Sequence, residues 1–148
     1  MINKKNVGLV LVGMFFSLFA SCRLSAEDKP DFDFEARLVT EEGKEFYDIA
    51  GMELYFGNYG PKTVAKFQIS FQLFDETGMP FNQGIYEVVG ITKTKEYRHV
   101  FLKLDELFEN HDPKKCTLDY MYINKIIYTD GTEYNDPHGL KHFLMQGV

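Results

Sequence analysis

From Thr63 to Phe74 apolar and polar residues alternate. Ala65, Phe67, Ile69, Phe71 and Leu73 occupy one set of positions, and Lys66, Gln68, Ser70 and Gln72 the other. A helix would scatter the apolar set around its circumference, whereas a strand, with its two-residue period, gathers it on one face. The segment is therefore a strand with one buried and one wet face. Each large apolar side chain taken out of water contributes about 1.5–3 kcal/mol. A slip of one residue would turn Lys66 and Gln68 inward, so this strand sets the register of any sheet that contains it.

The same period recurs along the body. Phe32, Phe34, Ala36 and Leu38 alternate with Asp33, Glu35 and Arg37, and Glu41-Glu42-Gly43-Lys44 supplies a turn. Further strands are expected over Asp48 to Phe56, Ile85 to Ile91, Tyr97 to Leu104 and Leu118 to Thr129. Gly57-Asn58-Tyr59-Gly60-Pro61 and Asp75-Glu76-Thr77-Gly78 read as breaks between them. The alternation slips around Asn124-Lys125, which predicts a bulge. Asp130-Gly131 is a hairpin signal leading into Thr132-Glu133-Tyr134. Leu104, Leu107 and Phe108 follow i, i+3, i+4 spacing and mark one short helical turn. Six or seven short strands separated by turns predict an all-β fold, an antiparallel immunoglobulin/fibronectin-III-like sandwich. With no Trp and two cysteines, it lacks the core of an antibody domain.

One stretch resembles a known family. Asn58-Tyr59-Gly60-Pro61-Lys62-Thr63-Val64, then Phe71-Gln72-Leu73-Phe74-Asp75 and Gly78, is similar to the FxLYD family of bacterial extracytoplasmic β-sandwich modules. There, an Asn-rich turn leads into a strand ending Phe-x-Leu-Tyr-Asp and then a turn with Gly. Phe71, Leu73 and Asp75 match, and Phe74 replaces the Tyr. The resemblance spans about 20 residues. It implies a lipoprotein or cell-envelope domain and carries no catalytic residues with it.

The N-terminus supports that address. Lys4 and Lys5 precede an uncharged run of 14 residues from Val7 to Ala20. That length suits the apolar core of a secretory signal and is short of the roughly 20 residues a spanning helix needs. Leu18-Phe19-Ala20-Ser21-Cys22 then resembles the lipobox of bacterial lipoproteins, in which a cysteine is acylated and becomes the new N-terminus. Phe19 stands where Leu is usual. Stable attachment takes two or more acyl chains, and lipidated Cys22 would supply them. Cleavage after Ala26 is the alternative, with Leu24 bulky where a small residue is wanted.

The chain thus divides into residues 1–21 as a lipoprotein signal peptide, 22–31 as a tether and 32–148 as a single β-sandwich domain. Arg23 to Asp31 is polar and contains Pro30, with a flexible-coil reach of about 15–18 Å. Loss of Lys4 and Lys5 leaves 14 basic against 22 acidic residues. That balance excludes a nucleic-acid partner, which calls for a basic face.

Chemistry is sparse in the body. Ser70 is its single serine and lies on the wet face of a strand, outside any Gly-x-Ser-x-Gly elbow. Cys116 reads as a small apolar residue at a strand start, with a Cys22–Cys116 disulfide open to it if Cys22 is unlipidated. Asp136, His138 and His142 form the best metal-ligand candidate, since His-x₃-His suits zinc on a helix, although Pro137 and Gly139 oppose one. The Asp130–Asp136 loop is rich in oxygen but lacks the Asp-x-Asp-x-Asp-Gly calcium spacing. No cofactor motif is present.

The expected function is a non-catalytic, lipid-anchored binding module of the bacterial cell envelope, periplasmic or surface-exposed, with a protein partner. The alternative is a metal-binding protein or metal-dependent hydrolase using the C-terminal His and Asp residues. Binding residues concentrate on loops of a rigid scaffold. This places the contact surface around Tyr59, Asn82–Gly84 and Asp130–His138, with Tyr59, Asn82 and Tyr134 as its named candidates.

Overall fold

The computed structural model describes residues 31–40 and 49–141. The signal sequence, Cys22, most of the tether, the Glu41–Lys44 turn and His142 lie outside the described residues. Among the described residues seven strands run in chain order: β1 (Phe32–Val39), β2 (Gly51–Asn58), β3 (Val64–Phe74), β4 (Pro80–Thr92), β5 (Glu96–Lys103), β6 (Thr117–Tyr128) and β7 (Glu133–Asn135). They form two sheets, ordered β1-β2-β5 and β4-β3-β6-β7, with every pairing antiparallel. This is the expected immunoglobulin/fibronectin-III-like sandwich.

Alternating residues of both sheets meet in one core. From the first sheet come Phe32, Phe34, Met52, Leu54 and Phe56; from the second come Phe67, Ile69, Leu73, Leu118, Ile123 and Ile126. Phe56 of β2 and Phe67 of β3 stack across the interface at 4.2 Å, and Phe32 lies 5.9 Å from Phe56. Stacked aromatics at such separations add to the area they bury.

The expected bulge at Asn124 is present. Gln68 pairs with Lys125 and Ile69 with Ile123, leaving Asn124 over. Two other irregularities correct the sequence reading. Against β6, Ala65 is the extra residue between Val64 and Lys66, and Val64 takes the buried position expected of Ala65. A further shift falls between Ser70 and Gln72, where Tyr120 adopts φ +52°.

Two strands have other bounds than expected. β2 runs from Gly51 through Gly57 and Asn58, later than the expected Asp48 to Phe56, and β4 is longer, starting at Pro80, so Asn82–Gly84 belong to a strand and not to a loop. The cause is the tight turn before β4. The Asp75 carboxylate accepts from the Thr77 N–H, the Thr77 hydroxyl and the Met79 N–H, and Gly78 supplies φ +80°. The bond from the Thr77 hydroxyl, followed by that from Met79, holds the Asp75 carboxyl below its ordinary range.

The helical turn is found as α1 (Asp105–Phe108), joined by a 3₁₀ turn at Pro113–Lys115 that the sequence reading missed. Asp105 secures α1 by accepting the Ile49 and Ala50 N–H groups at 2.8 and 2.7 Å. Pro113 sits at the start of the 3₁₀ turn, where its missing N–H costs nothing, and Asp112 caps the Lys114 N–H.

Candidate functional site

The antiparallel registers bring Asp31, the Tyr59–Thr63 connection, the Lys93–Lys95 turn and the β6–β7 hairpin to one end of the sandwich. The Asp31 carbonyl accepts the Tyr59 and Gly60 N–H groups, both at 2.8 Å, so the chain enters the domain beside this connection. Buried Asn58 organises it. Its amide donates to the Lys62 and Thr92 carbonyls at 2.9 and 3.0 Å, and its oxygen accepts the Gly60 N–H.

Tyr59, expected at a contact surface, is exposed. Its hydroxyl lies 2.8 Å from that of Tyr97, and the two rings meet edge to face at 5.9 Å. That hydrogen bond, reinforced by desolvation, pushes the Tyr59 phenol up to about 12. Gly57, opposite Tyr97 in the β2–β5 pairing, leaves the floor open; a Cβ there would come within 3.0 Å of the Tyr97 ring. The result is a cleft of about 370 Å³ on the outer face of the three-stranded sheet, bordered by Asp33, Glu35, Tyr55, Tyr59 and Tyr97.

Tyr55 is held from below. Its ring stacks on His99 at 4.2 Å, and its hydroxyl donates to Glu53 Oε1 at 3.0 Å. Glu53 is buried and also receives Arg37 and, at 3.0 Å, His99 Nε2. The Arg37 bond outweighs desolvation and keeps the Glu53 carboxyl below its ordinary range, while the bond to Glu53 raises the Tyr55 phenol. Tyr55 and Tyr97 were not singled out from sequence. Their proximity to Tyr59 depends on a β2–β5 register that no local motif encodes.

Tyr134 lies at the same end but on the other sheet, with its ring largely packed. Phe32 meets it edge to face at 5.1 Å, Lys141 Nζ sits 5.0 Å over it, and its hydroxyl is 3.4 Å from Asp136 Oδ2. Burial, then the Asp136 charge, raises its phenol. A second cleft of about 340 Å³ opens beside it, bordered by Lys62, Tyr128, Thr132 and Lys141. Lys62 is committed to Asp130 at 3.2 Å and to the Thr132 hydroxyl at 2.7 Å. Asp130 is lowered to about 2, chiefly by the Thr132 hydroxyl and N–H.

Asn82 does not join them. Its partner Leu73 is near the far end of β3, and its amide donates to the Leu107 carbonyl at 3.0 Å, fastening α1 to β4. Its half-buried side chain acts as internal support.

Of the metal-ligand candidates, Asp136 is buried. Its carboxylate accepts the Leu140 and Lys141 N–H groups at 2.9 and 2.8 Å. His138 is exposed, and His142 lies outside the described residues. Among the described residues no group of three or more His, Cys, Asp or Glu side chains is placed to hold an ion. Cys116 is half-buried against the core, with Sγ 3.3 Å from the Asp112 carbonyl; burial raises its thiol, the opposite of activation.

Fold and cleft together define a small antiparallel β-sandwich that presents a tyrosine-lined recess at the end where the chain enters. No family model matches the sequence, and no curated protein matches it. Among solved structures the chain is similar to one titled "X-ray structure of Northeast Structural Genomics Consortium target SoR45". The TM-score is 0.46 and the identity 10%, covering 72% of this chain and 81% of that one.

Proposed function

We propose that the protein is a lipid-anchored cell-envelope module that acts by binding a protein partner and not by catalysis. The observation that carries this reading is the order basic start, apolar run, small residues, Cys22. The similarity of residues 58–78 to FxLYD modules supports the same address. Entry of the chain at Asp31, beside the tyrosine-lined recess, supports a domain whose tether and contact surface share one end. Among the described residues no helix is long and apolar enough to cross a membrane. In this reading the acylated cysteine is the attachment.

Detergent phase separation of a bacterial expression host tests the anchor. The wild-type protein is expected in the detergent-rich phase, and Cys22→Ala in the aqueous phase. A wild-type protein found in the aqueous phase overturns the reading.

A further inference from the structure

The recess on the three-stranded sheet has a chemistry that selects its ligand. Three tyrosine rings border it: Tyr97 is 71% exposed, and Tyr59 and Tyr55 are 48% and 41% exposed. Gly57 gives the recess depth, because any side chain there would run into Tyr97 and the Tyr59 hydroxyl. Among the described residues its border carries two carboxylates, Asp33 and Glu35, and no Lys, Arg or His; Asp33 Oδ1 also accepts the Phe34 N–H at 2.8 Å. These two lie on the same face of β1, opposite Gly57 and Tyr55 respectively.

Aromatic faces attract cations through their quadrupole, and a neighbouring carboxylate adds charge and a hydrogen-bond acceptor. An anion would be repelled by both carboxylates. A bare metal ion calls for convergent oxygens at about 2.3–2.6 Å and gains little from rings. A planar guanidinium uses both parts, stacking on a ring while bonding to a carboxylate. The recess lies open on the outer face of the sheet, so the rest of the ligand leaves into solvent, as it does for a side chain projecting from a larger partner.

We propose that the recess between Tyr55, Tyr59 and Tyr97 receives an arginine side chain of a partner protein, with Glu35 and Asp33 as its counter-charges. This deepens the binding-module reading and rests on it for the partner being a protein. The Tyr59–Tyr97 hydroxyl bond fixes the two rings, and the Glu53 cluster fixes Tyr55, so the rings are set before the ligand arrives.

Fluorescence anisotropy with labelled hexa-arginine and hexa-glutamate, using the full chain in detergent, tests the proposal. Hexa-arginine is expected to bind and hexa-glutamate not. Tyr97→Leu and Glu35→Gln are each expected to weaken hexa-arginine by about tenfold. Both positions are exposed, and unchanged melting temperatures would confirm that the variants fold. Glu106→Gln, an exposed carboxylate on α1 at the other end, is expected to leave affinity unchanged.

No binding of hexa-arginine, equal binding of hexa-glutamate, wild-type affinity in both recess variants, or an equal loss in Glu106→Gln would each overturn the proposal. Free arginine is expected to displace the peptide at lower concentration than tetramethylammonium. The reverse order would overturn it in favour of a quaternary-ammonium ligand. These outcomes are independent of detergent partitioning, so the recess and the anchor fail separately.

Discussion

Phe67→Ala is expected to cost about 3–5 kcal/mol of folding stability, measured by denaturant unfolding. Phe67 is 1% exposed and stacks on Phe56 of the opposite sheet at 4.2 Å. Truncation removes its transfer energy and leaves a hole between two sheets whose backbones cannot close over it. Total stabilities of about 5–15 kcal/mol make this a large fraction of what holds the domain together. Ile85→Ala is the matched control. Ile85 is 66% exposed on β4, and its loss is expected to cost under about 0.5 kcal/mol. Equal costs at the two positions would contradict the assignment of inner and outer faces.

Gly84→Ala is expected to cost about 1–3 kcal/mol, despite adding only a methyl group to a strand. A Cβ at Gly84 would fall 2.2 Å from Phe71 Cζ and 2.7 Å from Cε1. The Phe71 ring is 3% exposed and stacks on Tyr86 at 5.8 Å, so it has little room to yield. The ring covers the glycine across the β3–β4 pair, an arrangement that pins register on an edge strand. In the double variant Gly84→Ala/Phe71→Leu, part of the loss is expected to return. Strictly additive losses would show that the two positions do not touch.

The way these strands were and were not legible follows from what sequence encodes. β3 and β1 announce themselves because one face is dry and the other wet, and the bulge at Asn124 shows as a slip in that alternation. The bulge at Tyr120 does not, because a tyrosine at positive φ leaves no compositional mark. Pro80 to Gly84 looks like a loop because it contains Pro, Asn and Gly. Yet Pro is tolerated on an edge strand, and the glycine serves Phe71 instead of a turn.

The recess was half visible. Tyr59 stands beside a Gly-Pro break and reads as a loop residue, but Tyr55 and Tyr97 reach it through a register between strands about 40 residues apart. Tyr134 and Asn82 have loop-like surroundings in the sequence, and both make internal contacts that no pattern in one sequence specifies. Asp136 follows the same logic. A carboxylate between a tyrosine and two histidines suggests a ligand, and only the fold shows it capping the Leu140 and Lys141 N–H groups.

Attachment of the module to a membrane through Cys22 is tested by the intact mass of the mature protein purified from the membrane fraction of a bacterial host. The expected species is a chain beginning at Cys22 whose mass exceeds the sequence mass by a diacylglycerol and an amide-linked acyl group. An unmodified chain beginning at Glu27, the product of cleavage after Ala26, would contradict it.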